Sequence, residues 1–405
     1  MILGELSAGS SDFLHMERFV NIGSPSGFTD LHTTSPQTCP RGDCESFYLC
    51  SIEAPDSITI EEYGAQPTFC TQWQMLVHPD QIGEREFDVC TKIDRHAVRV
   101  APTSSSRTVK MLDREGWFLK LSYKGLIGRV DRQLSRVHAI SATEVSRAIA
   151  DAIDQTSLPN NFGILREVYG RVLVFSSATS PNSEWGFVAR EPMPYGPLER
   201  AAILIPAFSL FSPDLKSPDD PTLLIQLIEK QDRNPEDFLF DDLISPLHDA
   251  YFSLLIHFGL QLEAHAQNML YALDDQLDII GVVARDAESI DKDFSLMDEL
   301  GLSKPYTDTK YKRLLRSDYN YQIMHSFMFD FKMGEYLTKP IIRHAGERFS
   351  FDQELLEERI RSHNAKYTRQ LPADFFPRNW YSYENIVHDR TRRRPYITHE
   401  SPRYR

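Results

Sequence analysis

The pattern of apolar and polar positions changes character twice along the chain. Up to about residue 65 the sequence is rich in Ser, Thr, Pro and Gly with weak periodicity, which reads as loops and short strands. Short runs of β-branched and aromatic residues follow at 72–78, 97–101, 117–123, 171–175 and 185–189. Turn signals separate them, a pattern that predicts a mainly antiparallel sheet. Between them, 142–155 switches to helical spacing. Val145, Ile149 and Ile153 fall on one stripe there, and Ser141 or Thr143 can cap it.

Three prolines and a glycine in 192–198 read as a hinge, and beyond it the period is helical. Helices are predicted over 219–231, 235–273 (broken near Pro246), 318–336 and 352–367, with a buried strand at 278–284. The last 35 residues carry Pro372, Pro377, Pro395 and Pro402 and read as irregular. The expectation is an α+β protein in four parts: an irregular 1–65, a β-rich 66–195, a helical 196–375 and an irregular basic 376–405.

Charge and composition narrow the classes. A formal net charge of −14 argues against a nucleic-acid or anionic-membrane partner for the chain as a whole. Arg390, Arg392, Arg393 and Arg394 form a local basic cluster, read as a solvated extension. No apolar run is long enough to cross a membrane, and the N-terminus lacks the pattern of a signal peptide. The five cysteines are an odd number and suggest reduced thiols in a cytoplasmic protein. Cys39, Cys44 and Cys50 contain no C-x-x-C pair to suggest zinc.

Two constellations could carry chemistry. Glu263-Ala264-His265-Ala266-Gln267-Asn268 places four polar side chains inside an apolar stretch read as helix, and Arg285-Asp286 follows the next strand. Such groups either satisfy one another or face a ligand, because burying them unpaired costs on the order of a few kcal/mol each. On a straight helix Glu263 and His265 point to different sides, so convergence requires a helix end or distortion near residue 265. The second constellation is Thr103-Ser104-Ser105-Ser106-Arg107-Thr108, then Lys120 and Arg132. Hydroxyls with guanidinium and ammonium groups suit a polyphosphate, although scattered basic residues on strands are also ordinary surface. No Walker loop or dinucleotide fingerprint is present. His78-Pro79-Asp80-Gln81 reads as the turn closing a strand.

Taken in order, these fragments resemble the siderophore synthetases that act without a nonribosomal peptide synthetase, the aerobactin-synthetase (IucA/IucC) family. The likeness rests on His78-Pro79-Asp80-Gln81, Thr103 to Thr108, Lys120, Arg132, Glu263 to Asn268 and Arg285-Asp286, in register over about residues 70 to 290. It implies a hand-like fold, with ATP between a β-rich fingers domain and a helical palm. The implied enzyme is an ATP- and Mg²⁺-dependent ligase. It activates a citrate-like carboxylic acid as an acyl-adenylate, releases pyrophosphate and condenses the acid with an amine or alcohol. The resemblance further implies that Ser105, Arg107, Lys120 and Arg132 hold phosphates and that His265, beside Gln267, contacts the reacting α-phosphate. It assigns Glu263, Asn268 and Asp286 to Mg²⁺. A homodimer is the family expectation.

The chain departs from the family at two places. Asp80 stands where the family has Trp, and 23–28 lacks both histidines of an expected His-Pro-x-His-Pro element. The family's N-terminal (thumb) region is expected to be largely missing and acid recognition to be altered. A relative that binds nucleotide or a partner without turnover is the alternative reading.

Overall fold

The computed structural model describes residues 1–6, 10–22, 35–42, 44–72, 75–90, 92–113, 116–127, 130–155, 157–177, 180–198, 200–383 and 396–405. The expectations for 23–28 and for the arginines at 390–394 lie outside them. Among the described residues, no helix is long and apolar enough to cross a membrane.

The protein is a mixed α+β structure built on a large antiparallel sheet. In chain order the first strands are β1 (Phe47–Glu53), β2 (Thr59–Gly64), β3 (Met75–Val77), β4 (Lys92–Pro102), β5 (Thr108–Met111), β6 (Phe118–Leu121), β7 (Tyr123–Ile127) and β8 (Val130–Arg132). They continue with β9 (Phe162–Ile164), β10 (Glu167–Ser177) and β11 (Ser180–Arg190). The large sheet runs β2-β10-β11-β6-β5-β4-β1-β3, so the antiparallel expectation holds. The reading of 1–65 as loops and short strands is corrected in two respects. Ser10–Phe19 is a helix, and β1 and β2 are integral to the large sheet. Thr59, Ile60 and Tyr63 supply the strand propensity of β2 beside Glu61 and Glu62.

A second sheet, β12 (Ile203–Pro206), β14 (Met269–Leu273), β15 (Ile279–Ala284) and β9, belongs to the other half, with the short β13 (Leu260–Gln261) and β16 (Asp291–Asp293) beside it. Only Leu165 and Arg166 separate β9 in this sheet from β10 in the large one. Each half has its own core. Leu119, Leu121, Trp185 and Phe187 cluster under the large sheet, while Tyr251, Phe252, Leu254 and Tyr271 belong to the helical core.

The helix between them starts earlier than 142, at Arg136, because Ser135 and His138 close a capping box. Pro246 does not break the helix that precedes β13. Pro235–Phe238, a π-helical stretch Leu239–Ile244 and Ser245–Phe258 run on continuously. A proline has no N–H for an i→i−4 bond, and the ladder shifts register just before it: Ser245 N–H reaches Phe240 O. The same device precedes Pro340, where Lys339 N–H bonds Gly334 O after the π stretch Phe327–Thr338, and Lys339–Arg348 continues the helix beyond 336. Within the C-terminal segment expected to be irregular, Trp380–Tyr383 pairs with Tyr396–His399.

The helix ending at Phe258 decides the geometry of the site. Gly259 takes φ 63°, and its N–H returns to Leu254 and Leu255 carbonyls, a left-handed cap that a Cβ would disfavour. Glu263 to Asn268 is therefore not helical, which corrects the expected helix over 235–273. The chain leaves β13, turns through these residues with His265 N–H bonding Glu263 O at 2.9 Å, and enters β14.

Candidate active site

The seam between the two sheets collects the ionisable residues. On β6, Leu119 and Leu121 face the core, and the alternation of a strand turns Phe118 and Lys120 to the other face. Lys120 pairs with Thr108 of β5 and Val188 of β11. The turn carrying Ser105 and Arg107 joins β4 to β5. Thr103 Oγ1 donates to Thr108 O at 2.6 Å, Thr108 N–H to Ser105 Oγ at 3.1 Å, and Ser106 takes φ 63°.

Across the seam, Asp286 follows β15 with φ 72°, a conformation that Asp tolerates better than most residues. Its carboxylate pairs with Lys120 Nζ and, at 3.1 Å, Arg190 Nη2. Glu288 Oε2 lies 2.6 Å from Lys120 Nζ, and buried Glu167 accepts from Arg190 at 2.7 Å and from Glu288 N–H at 3.1 Å. Tyr311 O–H donates to Glu288, and the His138 ring packs on Tyr311 with centroids 4.6 Å apart.

Burial alone would discharge Lys120, but Asp286, Glu288 and Glu167 outweigh it and hold the ammonium charged. Burial also opposes ionisation of Asp286, yet Lys120 and Arg190 keep it well below the usual carboxylate range. The lysine expected to be free for a phosphate is thus neutralised internally.

Arg107 is buried and donates to Arg132 O at 2.8 Å. Burial, then the neighbouring Arg132 charge, lowers its pKa. The Arg132 guanidinium has no hydrogen bond or ion pair among the described residues. Arg107 Nη2 has Glu288 Oε2 at 3.9 Å, so the Arg132 guanidinium beside it is the cation left to meet an anion.

His265 completes the site. Its Nδ1 accepts from Gln267 N–H at 3.2 Å, which fixes the neutral tautomer with hydrogen on Nε2. Burial lowers its pKa to about 4, with Glu263 opposing, so the ring is neutral at pH 7. Glu263 Oε1 lies 3.9 Å from His265 Nε2 and 2.9 Å from Lys332 Nζ. Gln267 Nε2 contacts Ser104 Oγ at 3.4 Å, joining this loop to the β4–β5 turn. Glu17 of the N-terminal helix clamps the same junction, accepting from Ser104 Oγ at 2.7 Å and pairing with Arg285 Nη1 at 2.7 Å.

Sequence reading thus named residues that the fold does gather. It missed Glu17, Glu167, Arg190, Glu288 and Tyr311. Glu288 carried a usable signal, a second carboxylate two residues after Asp286; the others come from distant segments. Asn268 Nδ2 donates to Glu263 O at 3.2 Å, and Asp286 is engaged by cations. No group of three or more His, Cys, Asp or Glu side chains among the described residues could hold a metal ion by itself. Glu263, Asn268 and Asp286 still offer the oxygen donors that Mg²⁺ prefers, provided nucleotide and water supply the remaining ligands.

Asp80, at the family's Trp position, has a structural role. It accepts from Ser35 N–H, Ser35 Oγ, Thr38 Oγ1 and Tyr123 O–H at 2.8–3.1 Å, fastening 35–38 to the sheet. His78 is buried between Phe47 and Tyr123.

Residues 37–212 match the IucA / IucC family profile. Over that segment the chain is similar to the IucA / IucC family. No curated protein matches it. The ATP-bound aerobactin synthetase IucA of a hypervirulent Klebsiella pneumoniae pathotype superposes with TM-score 0.69 at 14% identity, covering 97% of this chain and 79% of that one. IucC from the same pathotype gives 0.61 at 14%, over 89% and 74%. The petrobactin biosynthesis protein AsbB of Bacillus anthracis str. Sterne gives 0.65 at 14%, over 89% and 68%. The fold therefore extends through the half that the family profile does not cover.

Proposed function

We propose that the protein is an ATP-dependent ligase of siderophore or related specialised-metabolite biosynthesis, which activates a carboxylic acid as its acyl-adenylate and joins it to an amine or alcohol. The observation that carries this reading is the gathering of Arg107, Lys120, Arg132, His265 and Asp286 along one seam between the large sheet and the second sheet. ATP bound to the fold neighbour IucA supports the nucleotide assignment.

In this reading the phosphates lie against Ser105, Arg107 and Arg132, the last of which has no ion pair among the described residues. Lys120 leaves Glu288 and Asp286 to join them as nucleotide enters. Asp286, Asn268 and Glu263 would hold Mg²⁺, which supplies charge neutralisation on the phosphates when bound. The acid carboxylate attacks the α-phosphorus and pyrophosphate departs. Neutral His265 donates its Nε2 hydrogen to the α-phosphate oxygen as negative charge grows there, with Gln267 N–H keeping the ring in the donating tautomer. The amine then attacks the acyl carbon and AMP leaves. Reduced cysteines and the charge balance suit a cytoplasmic enzyme of small molecules, and a homodimer is the family expectation.

Pyrophosphate release from Mg·ATP across a panel of di- and tricarboxylic acids, with hydroxylamine as trapping amine, tests the proposal. Acid-dependent release is the expected result. Binding of Mg·ATP without release under any acid would replace it with the non-catalytic reading.

A further inference from the structure

Glu288 faces two sets of partners. One oxygen, Oε2, sits among the cations assigned to the phosphates, 2.6 Å from Lys120 Nζ and 3.9 Å from Arg107 Nη2. The other, Oε1, accepts from Tyr311 O–H and lies 3.9 Å from His138 Nε2. The carboxylates around Lys120 are not held alike. Glu167 is fully buried and pairs with Arg190 at 2.7 Å, and Asp286 pairs with the same guanidinium at 3.1 Å. Glu288 has no guanidinium that close, and its far oxygen already has an O–H donor from another element.

That donor is fixed independently. Tyr311 lies in the loop after the helix Phe294–Leu300, between Lys310 at φ 61° and Lys312 at φ 51°. Residues with a Cβ keep such left-handed conformations only where their surroundings impose them. Thr307 N–H and Oγ1 donate to the Glu144 carboxylate at 2.8 and 2.7 Å, which ties the loop to the helix Arg136–Asp154. The His138 ring, on the same helix, packs on Tyr311.

A carboxylate therefore stands where an anionic ligand would meet Lys120 and Arg107. Being tethered, it competes with any free anion at a high effective concentration. An anion that replaces only the contact with Lys120 gains little. One that spans Lys120, Arg107 and Arg132 gains three charged contacts and wins the exchange.

We propose that Glu288 is a specificity-determining residue of the site, an internal anion that a polyphosphate displaces and a single phosphate does not. Tyr311 is its positioning residue, whose O–H stabilises the carboxylate once Lys120 has turned to the ligand. The same carboxylate recaptures Lys120 as pyrophosphate leaves, which favours release. This inference rests on the ligase reading above.

Calorimetry with Mg·ATP, inorganic pyrophosphate and orthophosphate tests it on the wild type, Glu288→Gln, Tyr311→Phe and the double variant. With the competing state removed, Glu288→Gln should bind Mg·ATP and pyrophosphate about fivefold or more tighter. It should also bind orthophosphate at concentrations that the wild type ignores. Tyr311→Phe should act with the opposite sign, weakening both polyphosphates by about threefold, and should change nothing in the Glu288→Gln background. Thermal midpoints show which variants are folded; should Glu288→Gln not fold, the sign of Tyr311→Phe decides. A folded Glu288→Gln with unchanged or weaker polyphosphate affinity would overturn the inference and leave the ligase reading intact. So would a Tyr311→Phe that does not weaken binding, or that weakens it equally in both backgrounds. A wild type that binds neither Mg·ATP nor pyrophosphate would overturn the ligase reading, and the inference with it.

Discussion

Glu288 Oε2 lies 2.6 Å from the Lys120 ammonium, and the two residues come from opposite sides of the seam between the sheets. Lys120 is almost fully buried, with Asp286 and Glu167 as its other carboxylate neighbours. Removing the lysine leaves anions facing one another in a dry site. Lys120→Met is expected to destabilise the protein by about 3–5 kcal/mol, as when one partner of a buried ion pair is deleted. Chemical denaturation checks this, and a double cycle with Glu288→Gln should recover part of the loss.

His265 is assigned a role in the reaction and not in the core. His265→Gln should lower acid-dependent pyrophosphate release by about 10²-fold or more, the scale of losing one charge-stabilising donor. Calorimetric affinity for Mg·ATP should change little. Equal loss of binding and turnover would place His265 in ground-state nucleotide binding instead.

Gly259 sets where the helix ends and so where the motif loop begins. A Cβ there would run into the Met297 side chain and meet Asp293 O at 3.2 Å, on a backbone at φ 63°. Gly259→Ala is expected to cost more than the ~1 kcal/mol usual for a left-handed glycine, because steric overlap adds to the strain. The thermal midpoint measures it.

The motif residues were legible in the sequence because spacing along strands and turns survives folding, and the antiparallel sheet was legible from short β-branched and aromatic runs with turn signals between them. The path through Glu263–Asn268 was not. Leu262, Ala264 and Ala266 are buried, so the loop is as apolar as a helix and imitates its continuation. Only Gly259 marked the end. The internal neutralisation of Lys120 was equally hidden, since Glu167 and Arg190 lie on strand ends whose meeting with Asp286 is set by the packing of two sheets.

His248 gives a pH dependence. It is buried between Asn364 and Thr338, and burial lowers its pKa from an ordinary 6.5 to about 4. Below pH 6.5 the unfolded chain takes up a proton that the native protein refuses until about pH 4. Stability is therefore lost as pH falls through that window. This residue contributes up to about 1.4 kcal/mol per pH unit. Denaturation midpoints between pH 7 and 5 should fall less steeply in His248→Gln than in the wild type.

Acid activation at the expense of ATP should depend on Arg132, whose guanidinium has no ion pair among the described residues. Pyrophosphate release from Mg·ATP should depend on added citrate or succinate in the wild type and fall at least tenfold in Arg132→Ala, with the thermal midpoint unchanged. Release that ignores both the acid and Arg132, or no release alongside tight ATP binding, would rule out acid activation at this seam.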